Sequence, residues 1–314
     1  MRHCLIRTDA NKNIGLGHLI RMNGLAEYLE NAKIKPIFLL KNSDKNISEL
    51  DFVISAKKQF HADLLIIDYY DIKEKDISEL SKQIKILFFD DFQHLDFYDV
   101  DYIVNVNYYS KPLSYKTKKT CKVLLGPEYF ILREQIKNAV RNRKDNNFNL
   151  VITLGASDYQ NLNYNIIKTL IPLKKEKKDL NIILITTKMQ DEKNLKKLKE
   201  LEKKIKIYYS PENFADLIAS AGLAICNGGL TKYELAYLGV PAVGIAQIEH
   251  QEILLKNYEH LGALVYAGVG KNLDLDNLYN IVHDIAFDKK KLNQMSNAGK
   301  KIIDGNGGDR IVYY

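Results

Sequence analysis

The sequence predicts an α/β protein made of two doubly wound domains. Short apolar runs alternate with helix-period amphipathic stretches along the chain, the pattern of parallel strands joined by crossover helices. That alternation breaks once, in the charged, asparagine-rich RNRKDNN of residues 141–147, and then restarts. The length, 314 residues, exceeds one small core and suits two domains. The expected domains are 1–145 and 146–314, which leaves the last helix free to pack back on the first.

Each element has its own signal. Residues 4–6 (CLI) read as the first strand, and a helical period begins at His18 and runs through Leu19, Ile20, Met22, Leu25, Ala26 and Leu29. Residues 36–40 read as a second strand and 51–55 as a shorter one. The run ADLLIID (62–68) is apolar throughout, which suits a strand buried on both faces. Residues 76–83 read as a helix, and 84–89, 102–106 and 121–125 as strands. In the second half, residues 148–154, 180–186, 204–209, 223–226, 241–246 and 263–266 read as strands. Between them lies a helix over 211–220 with Pro211 in its first turn, and two helices close the chain.

Composition narrows the function classes. The formal net charge is +7, but the lysines gather in 174–178 and 188–206. The second stretch keeps Leu195, Leu198, Leu201 and Ile205 on one side and offers Glu200 and Lys204 as an i,i+4 pair, which is a solvated helix face. These segments lack the interleaved aromatics of a nucleic-acid surface, so a small anionic substrate is expected instead. Cys4, Cys121 and Cys226 lie far apart and form no CxxC pair, which excludes a disulfide framework and a zinc site. No apolar run reaches the roughly 18–20 residues of a membrane span, and MRHCLIRTD turns polar too soon for a signal peptide. A cytoplasmic, monomeric protein is expected.

Polar residues collect just after the expected strand ends: Asp9, Asp68, Asp90, Asp91 and Asn107. Each is also an ordinary turn or cap residue. Together, on one sheet edge, they outline the crevice where open α/β sheets bind ligands. The loop RTDANKNIGLGHLIR (7–21) holds Gly15 and Gly17 and delivers His18, a side chain that titrates near neutral pH. Two further loops follow strands in the second half, GASD (155–158) and NGGLT (227–231), where small residues let phosphate oxygens approach backbone N–H groups. Glu234 lies one turn after Leu230, placed to accept both hydroxyls of a ribose. Neither loop is a Walker A or a GxGxxG, which disfavours an ATPase or a nicotinamide enzyme. Asp99/Asp101 lie ahead of a strand and Asp274/Asp276 at a helix start, so no metal and no cofactor are expected.

The pieces RTDANKNIGLGHLIRM, LLIIDYY, LFFDDF, VNVNYY, LLGPEYFILRE, LVITLGASD and AICNGGLTKYELAYLGVPAV, in this order, run nearly end to end. In them the chain resembles the PseG/SpsG-type nucleotide-sugar hydrolases, a branch of the GT-B superfamily near the MurG-like glycosyltransferases. The resemblance implies a GT-B-like fold, two Rossmann-like domains facing across a cleft. The C-terminal domain would bind UDP and the N-terminal domain would supply the reaction centre. The implied reaction is hydrolysis of UDP-2,4-diacetamido-2,4,6-trideoxy-β-L-altropyranose to UDP and free sugar, a step towards pseudaminic acid. The family's catalytic histidine falls on His18 and its supporting tyrosine on Tyr70. Its nucleotide loops fall on Gly155, Ala156, Ser157 and Asp158 and on Asn227, Gly228, Gly229, Leu230 and Thr231, with the ribose-binding glutamate on Glu234. The sugar side is expected to take in Asp9, Gly15, Gly17, Arg21, Asp68, Asp91, Asn107, His250 and Gln251. Two positions depart from the family: Gly-Ala-Ser-Asp replaces Gly-Gly-Thr-Asp, and His250-Gln251 replaces an Asn-Gln pair.

On this reading His18 takes a proton from water attacking the anomeric carbon, with inversion. With the ordinary histidine pKa of about 6.5 it is expected to be largely neutral at pH 7–8. Two alternatives stay open. One is a glycosyltransferase in which His18 deprotonates an acceptor hydroxyl. The other is a nucleotide-binding module without catalysis.

Overall fold

In a computed structural model the described residues are 2–9, 16–40, 47–139, 147–155, 158, 160–189 and 192–314. The chain divides into two compact units, Met1–Glu134 with Gly305–Tyr314, and Gln135–Asp304. The division thus falls at Glu134/Gln135, ahead of the expected 145/146. Most of the segment that suggested the boundary, 140–146, lies outside the described residues.

The first unit runs β1 (Arg2–Thr8), α1 (Gly17–Asn31), β2 (Ile34–Leu39), α2 (Glu49–Phe60), β3 (Leu64–Asp68), α3 (Glu74–Ser81), β4 (Lys85–Phe89), β5 (Tyr102–Asn105) and β6 (Lys122–Leu125). Among the described residues its six strands pair in the order β2-β1-β3-β4-β5-β6, every pair parallel. Leu5, Ile6, Leu65, Ile66 and Ile67 in the central strands are sealed from solvent, as helices on both faces require. The short strand expected at 51–55 is instead part of α2. Phe52-Val53-Ile54 looks strand-like on its own, but Ser48 accepts the Asp51 N–H at 3.1 Å and caps a helix there. Val53 and Ala56, three apart, then face the core.

After α4 (Glu134–Lys137) the second unit runs β7 (Phe148–Thr153), α5 (Leu162–Leu170), α6 (Leu173–Glu176), β8 (Leu180–Thr186), α7 (Glu192–Leu201), β9 (Lys206–Tyr209), α8 (Phe214–Ala219), β10 (Ala221–Cys226), α9 (Thr231–Tyr237), β11 (Ala242–Ala246), α10 (Glu249–Glu259), β12 (Leu264–Val269), α11 (Leu275–Phe287) and α12 (Lys289–Lys300). Its parallel sheet has the order β12-β11-β10-β7-β8-β9. Three expectations change here. The helix expected over 211–220 starts only at Phe214, so Pro211 stands outside it. The lysine-rich helix ends at Leu201, which leaves Lys204 beyond it and removes the i,i+4 pair with Glu200. Three helices, not two, close the chain. The last, α13 (Gly307–Tyr313), belongs to the first unit. Cys4 and Cys226 are buried free thiols at the centres of the two sheets, where burial pushes each pKa up to about 12 and leaves it inert.

The strand order places the sites. In each sheet the connections reverse direction once: beside β1 and β3 in the first, and beside β7 and β10 in the second. Flanking helices diverge to opposite faces there, which opens a crevice at the carboxyl ends of the strands. Among the described residues no helix is long and apolar enough to cross a membrane.

α13 docks because its start has no side chains. A Cβ on Gly307 would overlap the carbonyl oxygen of Phe130, with the Tyr129 carbonyl carbon at 2.7 Å. Gly308 lies against the ring of Tyr28, whose hydroxyl donates to the Leu132 carbonyl at 2.6 Å. Arg310 donates to the Glu128 carbonyl at 2.7 Å. Gly307→Ala is therefore expected to destabilise the first unit by about 1–3 kcal/mol through overpacking against backbone. Urea unfolding checks this, and a loss below about 0.5 kcal/mol, the range of a neutral surface change, would show that α13 docks some other way.

Candidate active site

In the first unit the site forms where β1, β3 and β4 end. Register pairs Thr8 with Asp68, so the residues that follow β1 emerge beside the last residue of β3. Asp68 is fully buried, and three donors meet its two oxygens: His18 Nδ1 at 2.6 Å, Arg21 Nη2 at 2.6 Å and Arg21 Nε at 2.9 Å. Arg21 sits one turn after His18 on α1, so both side chains reach the same carboxylate. Its guanidinium turns a second edge to Asp91, with Nη1 and Nη2 each 3.0 Å from an oxygen. Asp91 also accepts from the Tyr70 hydroxyl at 2.5 Å and from Asn107 Nδ2 at 3.1 Å. Tyr109 donates to the Asp91 carbonyl. The Tyr70 ring stands edge-on to His18, 4.6 Å between centroids.

These contacts set the protonation states. Burial pushes the Asp68 pKa up, but Arg21 and His18 outweigh it and hold the carboxyl below its ordinary range. Asp91 is likewise lowered, because the Arg21 charge overcomes its burial. Tyr70 is held well above the ordinary phenol value by burial and by the Asp91 charge, so it stays a donor. For His18 burial pulls the pKa down, the Asp68 charge and hydrogen bond pull it up more strongly, and the result lies above 6.5. The expectation of an ordinary imidazole is thus corrected: the carboxylate at 2.6 Å favours the cation. Since ionised Asp68 can only accept, Nδ1 carries a hydrogen, and in the neutral ring Nε2 is the basic nitrogen.

Of the expected catalytic and sugar-side residues, His18, Tyr70, Arg21, Asp68, Asp91 and Asn107 form one network. Asp9 belongs to a neighbouring cluster. One of its oxygens accepts from Arg7 at 2.7 Å, while Arg7 also pairs with Glu49 at 2.5 Å and lies over the Tyr69 ring. The other Asp9 oxygen is buried without a hydrogen-bond partner among the described residues. Gly15 lies outside the described residues. At Gly17, beside His18, an added Cβ would meet nothing within 4 Å among the described residues.

The second unit brings its two loops together at the ends of β7 and β10, adjacent strands. Asn227 ties them: Nδ2 donates to the Leu154 carbonyl at 2.8 Å, and Oδ1 accepts the Gly229 N–H at 3.1 Å. Gly155 adopts a left-handed φ of +92°, which favours glycine at this turn. At Gly228 a Cβ would fall 2.8 Å from Gln251 Cβ, so the loop lies directly against α10, where Gln251 Oε1 accepts the Gln247 N–H. Leu230 and Thr231 begin α9, and Glu234 is buried one turn in. His250 is exposed on the first turn of α10. Asp158 accepts the Leu162 and Asn163 N–H groups at 2.9 and 2.8 Å, which holds the start of α5. Ala156 and Ser157 lie outside the described residues.

Sequence reasoning missed Lys232. It is buried, and Nζ donates to the carbonyls of Gly228 and Gly229 at 2.7 and 2.9 Å, locking the glycine loop from behind. In a helix-start sequence it reads as a solvent-facing lysine. The nearest signal is its position on the core side of TKYELAY, one residue before Tyr233 and three before Leu235.

The chain is 29% identical over 81% of its length to the uncharacterized protein MJ1062 of Methanocaldococcus jannaschii, of which it spans 57%. It is 23% identical to the spore coat polysaccharide biosynthesis protein SpsG of Bacillus subtilis, covering 99% of this chain and 96% of that one. It is 28% identical to the UDP-2,4-diacetamido-2,4,6-trideoxy-beta-L-altropyranose hydrolase of Campylobacter jejuni, covering 79% and 93%. Among solved structures, MurG of Acinetobacter baumannii superposes with a TM-score of 0.68 at 16% identity over 100% of this chain and 99% of that one, which establishes the GT-B-like fold. Residues 149–305, half of the chain, match the glycosyltransferase family 28 C-terminal domain. The chain belongs to the family that carries this domain, with SpsG and the Campylobacter hydrolase among its relatives.

Proposed function

We propose that this protein hydrolyses a UDP-linked diacetamido-trideoxy sugar to UDP and free sugar, with His18 as the general base. The observation that carries the reading is the His18–Asp68 pair: a histidine whose Nδ1 is fixed by a buried carboxylate and whose ring is held edge-on by Tyr70. Such a pair presents Nε2 as the proton acceptor in a fixed orientation, the arrangement that general-base catalysis on water requires. The name and near full-length coverage of the Campylobacter relative support the choice of substrate.

The chemistry divides between the units. Water loses a proton to His18 Nε2 as its oxygen attacks the anomeric carbon, and the C–O bond to the diphosphate breaks with inversion. The imidazolium that forms is stabilised by Asp68, already ionised. UDP leaves as an anion, so its charge needs holding more than its oxygen needs protonation. Backbone N–H groups of the Asn227–Leu230 loop receive the diphosphate, kept in shape by Asn227 and Lys232. Glu234 receives the ribose hydroxyls. A sugar nucleotide is a water-soluble substrate, which suits a cytoplasmic enzyme. A second reading, transfer of the sugar to an acceptor hydroxyl deprotonated by the same histidine, draws on the family 28 match.

Incubation with UDP-2,4-diacetamido-2,4,6-trideoxy-β-L-altropyranose, followed by NMR, is expected to release UDP and the free sugar. Turnover only after an acceptor is added would replace hydrolysis by transfer. His18→Ala is expected to lower the rate at least a hundredfold while UDP binding persists, and near-normal turnover would remove His18 from the mechanism. The base must be deprotonated, and its pKa is raised. The rate should therefore climb with pH through an apparent pKa above 6.5 and flatten beyond it. Asp68→Asn, which removes the largest raising influence, should move that limb to lower pH; an unmoved limb would assign it to another group. Glu234→Ala should weaken UDP binding measured by calorimetry at least fivefold, the loss of about one hydrogen bond. Unchanged affinity would count against the ribose assignment.

A further inference from the structure

Beside the His18–Asp68 pair stands a second histidine–carboxylate pair that the mechanism above does not use. Asp90 is fully buried after β4. One of its oxygens meets His94 Nδ1 at 2.7 Å, and the other accepts the Tyr115 hydroxyl at 2.6 Å and the Gln93 N–H at 2.6 Å. Gln93 has φ of 54°, a left-handed conformation unusual for a side chain of its size, and the turn it makes brings His94 back onto Asp90. Tyr115 is fixed in turn by Asn105 Nδ2 at 2.9 Å. Asn105 Oδ1 accepts from Asn107, which donates to Asp91. One hydrogen-bonded chain therefore leads from His94 through Asp90, Tyr115, Asn105, Asn107, Asp91, Arg21 and Asp68 to His18.

The two histidines also meet across a single ring. Tyr70 stands edge-on to His18 at 4.6 Å and edge-on to His94 at 5.7 Å. The His94 side chain keeps 25% of its surface exposed, and Nε2 has no hydrogen-bond partner among the described residues. A carboxylate that only accepts puts the hydrogen on Nδ1, which leaves Nε2 of the neutral ring as an open acceptor. A buried carboxylate, a left-handed turn and a half-buried tyrosine fix one imidazole, whose ring packs on the same Tyr70 ring as His18.

We propose that His94, oriented by Asp90, is a sugar-contacting residue whose Nε2 accepts a hydrogen bond from an N–H or O–H of the sugar presented to His18. The inference rests on the reading of His18 as the reaction centre. It makes His94 a specificity determinant rather than a second base. An acetamido sugar offers the N–H donors such a nitrogen recognises, and a sugar bearing no donor at that position would lose the contact.

The test compares wild type, His94→Ala and His94→Gln in three measurements: hydrolysis of UDP-2,4-diacetamido-2,4,6-trideoxy-β-L-altropyranose, calorimetric binding of that compound and of UDP, and thermal melting. In His94→Ala, KM for the sugar nucleotide is expected to rise about tenfold, with a smaller change in kcat. Affinity for the sugar nucleotide should fall in step while affinity for UDP stays within twofold. His94→Gln, which keeps an acceptor near the same place, should recover part of the loss. Unchanged KM and binding in His94→Ala would overturn the proposal while leaving the hydrolase reading intact. Equal losses for UDP and for the sugar nucleotide, with a lower melting temperature, would also overturn it by showing a structural role. If wild type hydrolyses nothing yet binds the sugar nucleotide in a His94-dependent way, the hydrolase reading fails and the sugar contact stands. If wild type binds the sugar nucleotide no more tightly than UDP, the contact is refuted whatever the turnover.

Discussion

The first unit's site depends on one buried cation. Arg21 spends both edges of its guanidinium on carboxylates from two different strand ends, Asp68 of β3 and Asp91 beyond β4. It thereby fastens α1 to the sheet at the point where the crevice opens. A lysine offers one point of charge and cannot span two carboxylates in this planar way. Removing one member of such a buried set typically costs about 3–5 kcal/mol, because the partners stay buried without their counter-charge. The count of charges also matters. One guanidinium faces two ionised carboxylates, so a negative charge is left over, and His18 is the group positioned to balance it. The raised pKa of His18 is thus a property of the whole set rather than of the Asp68 contact alone.

The second unit solves a different problem, with one amide and one buried ammonium. Its two strand-end loops are rich in glycine, and glycine-rich backbone does not hold its own shape. Asn227 and Lys232 supply the missing rigidity by bonding loop carbonyls and N–H groups from the protein side. Lys232 does this from a buried position between the loop and the rings of Tyr233 and Tyr258, whose faces attract its charge.

Much of this was legible in the sequence, for identifiable reasons. Runs such as LLIID and LVIT have only one comfortable environment, a strand covered on both faces, and they form β3 and β7. Polar residues that interrupt such runs at their ends mark the crevice, which is why Asp68, Asp91 and Asn107 could be named before the fold was seen. Residues 51–55 were misleading because local β propensity and helical spacing coincide there, and the cap at Ser48 decides between them. His94 gave no signal, since DDFQHLDF carries no apolar period and its role arises from the left-handed turn at Gln93. Strand order was also hidden. The two sheets are built from similar βα units yet reverse beside different strands, β1 and β3 in one and β7 and β10 in the other, and that depends on packing between elements distant in the chain.

The docking of α13 on α1 and on the segment around Pro127–Tyr129 bears on the order in which the protein is completed during synthesis. Domains ordinarily finish from the N-terminus onward as the chain emerges. Here the second unit, residues 135–304, has all its parts before the first does. The unit that carries His18 begins the chain and yet waits for residues 305–314 to be made. Until then the Tyr28 ring lacks Gly308 against it, and the Glu128 carbonyl lacks the Arg310 donor. The unit that carries His18 therefore gains its last contacts only after residues 135–304 have been made.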